Sequence, residues 1–173
     1  ERLMSGKPAW ELVPLADVMA SGHNVVGSLW QFKRKFIGLI FDQWRARLCA
    51  RGDHQIEGVD FTDTYAATVK MQSIRIMIAL CAANGFTIRH LDIDQAFLEG
   101  ELHQTVFMHQ PLGFEKTGPG GERMVCRLLQ TLYGLRQSAL EWSEVFTRHL
   151  REAGLRHSEV DTCLFSRTAD GLM

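Results

Sequence analysis

The 173-residue sequence contains no CxxC pair, no HxxxH or HExxH spacing, no internal repeat and no low-complexity tract. No apolar run approaches the ~20 residues that a membrane helix needs. Each absence removes a class of protein. Four scattered cysteines, Cys49, Cys81, Cys126 and Cys163, argue against a zinc site built on thiolates and against a disulfide framework. A reduced, intracellular setting fits them better, with Cys81 read as a small buried hydrophobe in an apolar run. The histidines share no metal-ligand spacing and are assigned no role. A net charge of −1 gives the whole molecule no strong pull toward nucleic acid or anionic membrane. No basic-then-apolar signal opens the chain, which starts at Glu1 without Met. It stops at Asp170–Met173, where a glycine turn follows a strand-like run, so both ends are expected to be cut points.

What is present is an ordinary globular composition, 46% hydrophobic, with an uneven charge distribution. Lys33, Arg34, Lys35, Arg45, Arg47 and Arg51 crowd one stretch, and the segment from Asp53 to Asp63 is acid-rich. The first forty residues, with Pro8 and Pro14, read as a loop leading into a strand. Asn24 to Lys35 mixes β-branched, aromatic and basic residues and reads as a strand interrupted near Gly27. Gln43 to Arg51 is its expected return arm, linked through Phe36 to Asp42. Ser73 to Asn84 carries Ile74, Met77, Ile78 and Cys81 at helical spacing, a stripe expected to be buried, with Ser73 as cap and Gly85 as terminator. Thr87 to Ile93 reads as a strand. Val106–Met108 and Met124–Leu128 read as short strands around a Gly/Pro loop at Thr117–Gly121. Ser138-Ala-Leu-Glu141 has the capping-box pattern of a second helix. Trp142, Phe146, Leu150 and Ala153 are its expected buried face and Gly154 its end. Cys163 to Ser166 is a final strand. The order of elements implies a mixed α+β fold.

Three features could carry chemistry. In His90-Leu-Asp92-Ile-Asp94, strand alternation would send Leu91 and Ile93 to the core and His90, Asp92 and Asp94 outward. A carboxylate pair at a strand end suits Mg²⁺, which takes one or two carboxylates plus substrate phosphates. A bare Asp-x-Asp is more often a solvated acid pair before a turn, and His90 more often a surface histidine than a ligand or base. The second feature is the basic hairpin. Arg45, Arg47 and Arg51 would share one strand face, where guanidinium groups can fork onto phosphates, with Trp30, Phe32 and Trp44 facing the core. By itself such a face is more often simply solvated. The third is Tyr133-Gly134, where glycine allows close backbone approach of a ligand, or which is an ordinary loop into a helix.

These pieces occur in a fixed order: W-E-L-V-P-L (Trp10–Leu15), F-K-R-K (Phe32–Lys35), R-A-R-L-C-A-R-G (Arg45–Gly52), G-V-D-F (Gly58–Phe61), L-D-I-D-Q-A-F-L-E-G-E-L (Leu91–Leu102), V-F-M-H-Q-P-L-G-F (Val106–Phe114), V-C-R-L (Val125–Leu128), L-Y-G-L-R-Q-S-A (Leu132–Ala139) and D-T-C-L-F (Asp161–Phe165). In this order and spacing the chain resembles the reverse transcriptase domain of Ty1/copia-type retrotransposon Pol polyproteins, from Trp10 nearly to its end. The resemblance implies a right-hand polymerase, here incomplete. Fingers would cover roughly residues 10–90, with a palm starting near residue 87. It implies RNA-directed DNA polymerisation with two Mg²⁺ (or Mn²⁺) ions, dNTP and an RNA/DNA template-primer, within the remainder of a Pol polyprotein. The setting would be a cytoplasmic particle or the nucleus, with no membrane. Asp92 matches the first catalytic carboxylate, and the Ile93 carbonyl would complete that metal's shell. Phe97 matches the aromatic gate beneath the sugar. Asp94, Gln95 and Ala96 would lie along the triphosphate, with Lys33, Arg34, Lys35 and Arg45 holding it from the other side. Tyr133 and Gly134 would form the floor.

The departures are as informative. The family's second carboxylate pair lies in a Tyr-x-Asp-Asp hairpin, and this sequence contains no Asp-Asp pair. Neither Asp161 nor Asp170 stands in that context. The thumb and RNase H domains have no counterpart here. The stretch Ile37–Asp42 lacks the family's Asp-Gly turn, Asp53 stands where a large apolar residue is usual, Tyr65-Ala-Ala-Thr68 replaces Phe-Ala-Pro-Val, and Ser138-Ala139 replaces Ala-Pro. These changes fit a copy no longer under selection. The isolated chain is therefore expected to be inactive. Two other readings stay open: a catalytically dead nucleic-acid-binding remnant, and a metal-dependent transferase of Asp-x-Asp type.

Overall fold

The structure is a computed structural model that describes residues 8–167. The terminal glycine turn at Gly171, and Asp170, lie outside the described residues. The fold is a mixed helix and strand arrangement built on a four-stranded sheet. Its strands are β1 (Trp10–Pro14), β2 (Val25–Val26), β5 (Phe107–Met108) and β6 (Met124–Leu128), in the order β1-β6-β5-β2. β1 and β5 run antiparallel to β6, and β2 runs parallel to β5. The stretch taken as a loop thus holds a strand and a helix, α1 (Leu15–Ala20). Pro14 closes β1 opposite Met124 at the end of the ladder, a position that tolerates a missing N–H.

Strand alternation separates two cores. Met108, Cys126 and Leu128 point to one face, where they join Val26, Ala50, Leu98, Val106, Leu132 and Leu135. Phe107 and Val125 point to the other, where α1 covers them with Val18. Each fully buried side chain of this kind contributes roughly 1.5–3 kcal/mol by leaving water. The buried cysteine of this fold is Cys126, whose burial pushes its thiol up to about 12, and Cys81 is only half-buried.

The hairpin β3 (Ser28–Ile37) and β4 (Ile40–Ala50) forms as the sequence implies, with β2 split from β3 at Gly27. Its turn is tighter than expected, because Gly38 takes φ +61° and two residues suffice. The aromatic residues do not face a core: Phe32 and Trp44 are each 70% exposed. A two-stranded ribbon has no third layer to bury a face against, and its base, at Leu48 and Ala50, is what packs on the core. Trp30 is half-buried because its Nε1 donates to the Leu112 carbonyl at 3.3 Å and its ring lies 5.6 Å from Phe114. Arg51 lies beyond β4 and forks onto Asp53 at 2.6 Å and 3.3 Å, so it does not share the strand face of Arg45 and Arg47.

Helix α2 (Met71–Asn84) ends at Gly85 in the left-handed region, as glycine there allows. Its expected stripe is not buried: Met77 and Ile78 are exposed, and Ile74 and Cys81 only half-buried. Ser73 is not its cap. Asp161 takes that role, accepting the Lys70 N–H at 2.9 Å and the Ser73 hydroxyl at 2.6 Å on Oδ2, and the Cys163 N–H at 3.0 Å on Oδ1. These donors hold the Asp161 carboxyl below its usual range, the Ser73 hydroxyl contributing most.

Thr87 to Ile93 is not a strand. A strand needs a neighbour to complete its ladder, and among the described residues no segment pairs with it. Leu91, expected in the core, is 86% exposed, and Ile93 is exposed too.

Helix α3 (Ser138–Glu152) closes at Gly154, φ +82°. Its capping box does not form: the Ser138 hydroxyl donates to the Leu132 carbonyl at 2.6 Å, and the Glu141 N–H bonds the Gln137 carbonyl. The buried residues are Ser138, Glu141 and Val145, about one position round the helix from the expected face. Trp142 and Phe146 instead stack at 5.4 Å over an open pocket of about 530 Å³. Phe146 and Ala153 are exposed. The last strand is shorter than expected: β8 (Phe165–Ser166) pairs with β7 (Arg156–His157).

Candidate nucleotide-facing site

The site begins where the exposed segment meets the sheet. Asp92, Ile93 and Asp94 lie in the unpaired stretch, with Asp94 and Gln95 forming a turn. Gln95 takes φ +56°, the one positive φ at a non-glycine residue among the described residues. Such a conformation costs about 1–2 kcal/mol for an L-residue and persists only where the surroundings hold it. Here the next residues do so. Ala96–Glu99 form a short 3-10 turn in which the Leu98 N–H bonds the Gln95 carbonyl at 2.7 Å and the Leu98 side chain enters the core. The Phe97 carbonyl accepts the Thr131 hydroxyl, and the Thr131 N–H bonds the Gly100 carbonyl at 3.1 Å. A Cβ on Gly100 would meet Thr131 Oγ1 at 2.6 Å, so this close approach requires glycine.

That anchoring sets the Phe97 ring edge-on to Tyr133, with centroids 5.6 Å apart. The Arg47 guanidinium lies over the opposite partner, 5.5 Å from the Tyr133 centroid. Arg47 was not among the residues expected at the triphosphate. Phe97 also borders the open pocket, together with Ala67, Trp142, Cys163 and Phe165.

The hairpin joins the same centre through its end. The Ala50 N–H donates to the Tyr133 carbonyl at 2.8 Å. A Cβ on Gly134, at φ +93°, would lie 2.1 Å from the Ala50 carbonyl oxygen, and one on Gly52 2.2 Å from the Gly134 oxygen. Both glycines serve backbone packing here. Register then separates the basic residues. Lys33 stands opposite Arg45 and Gln31 opposite Arg47, so Lys33, Arg45 and Arg47 share one face. Arg34 stands opposite Trp44 on the other face, its guanidinium 6.0 Å from that ring. Lys35 sits at a register shift and pairs with Asp42 at 3.2 Å. Among the described residues, neither Lys33 nor Arg45 is in an ion pair.

A buried polar clamp that sequence reasoning missed fixes Tyr133-Gly134. Gln137 Nε2 donates to the Asp60 carbonyl at 2.9 Å, and its Oε1 accepts Gln55 Nε2 at 3.0 Å. Gln55 Oε1 accepts the Arg136 N–H at 2.8 Å, and Arg136 Nε donates to the Gly52 carbonyl at 2.9 Å. The Asp60 carboxylate accepts Asn24 Nδ2 at 2.7 Å and the Ile56 N–H at 2.8 Å. Two glutamines 82 residues apart leave no local signature. The nearest hint was the pair of glycines, Gly52 and Gly134.

Residues 8–172 match the family model described as reverse transcriptase (RNA-dependent DNA polymerase). The chain belongs to the reverse transcriptase family. It is 36% identical over 162 residues to the retrovirus-related Pol polyprotein from transposon RE2 of Arabidopsis thaliana, covering 92% of this chain and 11% of that protein. It is 35% identical over 148 residues to the corresponding polyprotein from transposon TNT 1-94 of Nicotiana tabacum, covering 85% and 11%. A truncated transposon Ty1-A Gag-Pol polyprotein of Saccharomyces cerevisiae is 27% identical over 146 residues, covering 84% and 12%. The reverse transcriptase chain thus spans about a tenth of the length of these Ty1/copia-type relatives. No solved structure gives a significant match.

Proposed function

We propose that this chain is the nucleotide-facing fingers and early palm of a copia-type RNA-directed DNA polymerase, and that alone it does not polymerise. The observation that carries this reading is the convergence of Tyr133 and Arg47 on Phe97, which directly follows the Asp94–Gln95 turn. An aromatic pair is a platform for a sugar and base. The Lys33, Arg45 and Arg47 face beside it offers fixed cations to a triphosphate or template phosphates. Asp92 is the first carboxylate by family position, and Phe97 the ring that would exclude a 2′-hydroxyl.

The described residues do not make up a two-metal centre. Asp92 and Asp94 are exposed, and among the described residues no further His, Cys, Asp or Glu donor converges on them. The sequence has no Asp-Asp pair. Phosphoryl transfer relies on metals held by carboxylates of more than one segment, so no catalytic step is assigned to this chain. Its partners would be template-primer, dNTP and the rest of a Pol polyprotein, in a cytoplasmic particle or the nucleus. Among the described residues no helix is long and apolar enough to cross a membrane.

The test is primer extension with Mg²⁺ or Mn²⁺, alongside template-primer binding. No extension is expected, and template-dependent synthesis by this chain overturns that part. Binding should fall in Lys33→Glu and Arg45→Glu, with a salt slope of ~0.9 per neutralised phosphate on duplex DNA. The exposed basic face supports a second reading, a remnant that binds nucleic acid alone. It predicts binding indifferent to dNTP, Mg²⁺ and Asp92→Asn, whereas a retained nucleotide site predicts sensitivity to all three.

A further inference from the structure

On the far side of the Gly100–Thr131 anchor, the loop after the 3-10 turn brings His103 onto the first turns of α3. Glu141 and Glu144 are three residues apart there and so lie on one helix face. His103 Nε2 is 2.8 Å from Glu144 Oε2 and 3.2 Å from Glu141 Oε2. The loop is held in place by its own backbone, since the His103 N–H donates to Glu141 Oε1 at 3.3 Å. One nitrogen and two carboxylate oxygens thus lie within 4.8 Å of one another.

Glu141 is the unusual member. Its side chain is 3% exposed, yet Oε2 has no hydrogen-bond partner and is aimed into the cluster. A buried carboxylate oxygen held only by a 3.2 Å ion pair with His103 is under-satisfied, and a cation is one way to satisfy it. Arg148, two turns further along α3, does not supply that charge, because it forks onto Glu101 at 2.9 Å and 3.3 Å. His103 and Glu144 are both exposed enough for an ion to enter from solvent.

The geometry points to a divalent transition-metal site of the zinc class, with His103 Nε2, Glu141 Oε2 and Glu144 Oε2 as ligands and water in the remaining position. The imidazole decides the class. Mg²⁺ and Ca²⁺ take oxygen donors, whereas one imidazole with two carboxylates suits Zn²⁺ or Co²⁺. The site is separate from Asp92 and does not depend on the polymerase reading.

The probe is Co²⁺ alone, titrated into the metal-free 173-residue chain at pH 7.5 and followed by its visible absorption, then displaced with Zn²⁺. One saturable equivalent is expected, with the thermal midpoint raised by Zn²⁺. His103→Gln and Glu144→Gln, both at exposed positions that leave the fold intact, should each weaken binding at least tenfold. His90→Gln should leave it unchanged. Absence of saturable binding overturns the site. So does binding that survives His103→Gln, or that is lost in His90→Gln, since either places the metal elsewhere.

Discussion

Two regions of this chain are built on opposite principles. Around Tyr133-Gly134, backbone touches backbone through Gly52 and Gly134, and every buried amide of Gln55 and Gln137 has a partner. Around Asp92, from Phe86 to Asp94, no strand forms and apolar residues face solvent. Yet the two regions meet at Phe97. In this chain the segment with the most marked sequence motif is not the best-held one. Conformational precision at this site comes from the loop into α3, and Asp92 hangs from it through the strained Gln95 turn. Substitutions should therefore be severe on one side of Phe97 and mild on the other.

Gly134→Ala is the strongest way to break the first region. A methyl group 2.1 Å from the Ala50 oxygen, on a residue at φ +93°, cannot be accommodated without moving backbone. A loss of about 3 kcal/mol or more is expected in urea unfolding. A loss below about 1 kcal/mol would mean that the hairpin end and the Tyr133 loop are not locked together.

Gln137→Ala comes next. It strips a hydrogen bond from the Asp60 carbonyl and another from Gln55, both in a buried setting. Leaving such groups unsatisfied costs about 2–3 kcal/mol. The Tyr133 ring should also become more mobile, read as averaging of its two ring edges by NMR.

How much of this was legible beforehand varies with the range of the interaction. β6, Met124–Leu128, and the break at Gly27 followed from local alternation and a local glycine. The helix ends at Gly85 and Gly154 followed from one residue's freedom to take positive φ. What failed was whatever a distant segment decides. α3 has its stripe rotated because Glu141 turns inward to His103, 38 residues away. Likewise α2 borrows its cap from Asp161, 88 residues from Ser73. Thr87–Ile93 has strand-like alternation but no ladder partner among the described residues. Periodicity reports a preference, and pairing decides whether it is realised. At the candidate site, Asp92, Phe97 and Tyr133 were expected through the resemblance, and the structure sets Phe97 against Tyr133. Arg47 over Tyr133 and the separation of Arg34 from Lys33 needed the register.

The borrowed cap gives a pH-dependent test of the weaker region. The Asp161 carboxyl titrates lower in the folded chain than in the unfolded one. Its contribution is therefore fully present above the unfolded value of about 3.9 and is lost as pH falls through the lower folded value. Asp161→Asn should speed hydrogen exchange in the first turn of α2 at neutral pH while leaving the β5 and β6 amides protected. The gap between wild type and variant should close as pH is lowered below about 4. A gap that is constant with pH would show that the carboxylate charge is not what holds Lys70 and Ser73.

Leu91→Ser should have the smallest effect, and its smallness is the sharpest statement about the second region. Leu91 stands between Arg89-His90 and Asp92, in the segment that strand alternation would bury. A buried leucine replaced by a small polar residue costs about 2–5 kcal/mol, whereas a solvated one changes stability by no more than about 0.5 kcal/mol. At 86% exposure the second outcome is expected for this chain in urea unfolding. Paired with Gly134→Ala in the same experiment, it measures the asymmetry across Phe97 directly. Two similar losses would mean that the Asp92 segment is packed in solution after all. A large loss at Gly134 beside none at Leu91 would place the rigid half of the site on the Tyr133 side, with Asp92 carried by a segment whose packing the described residues do not supply.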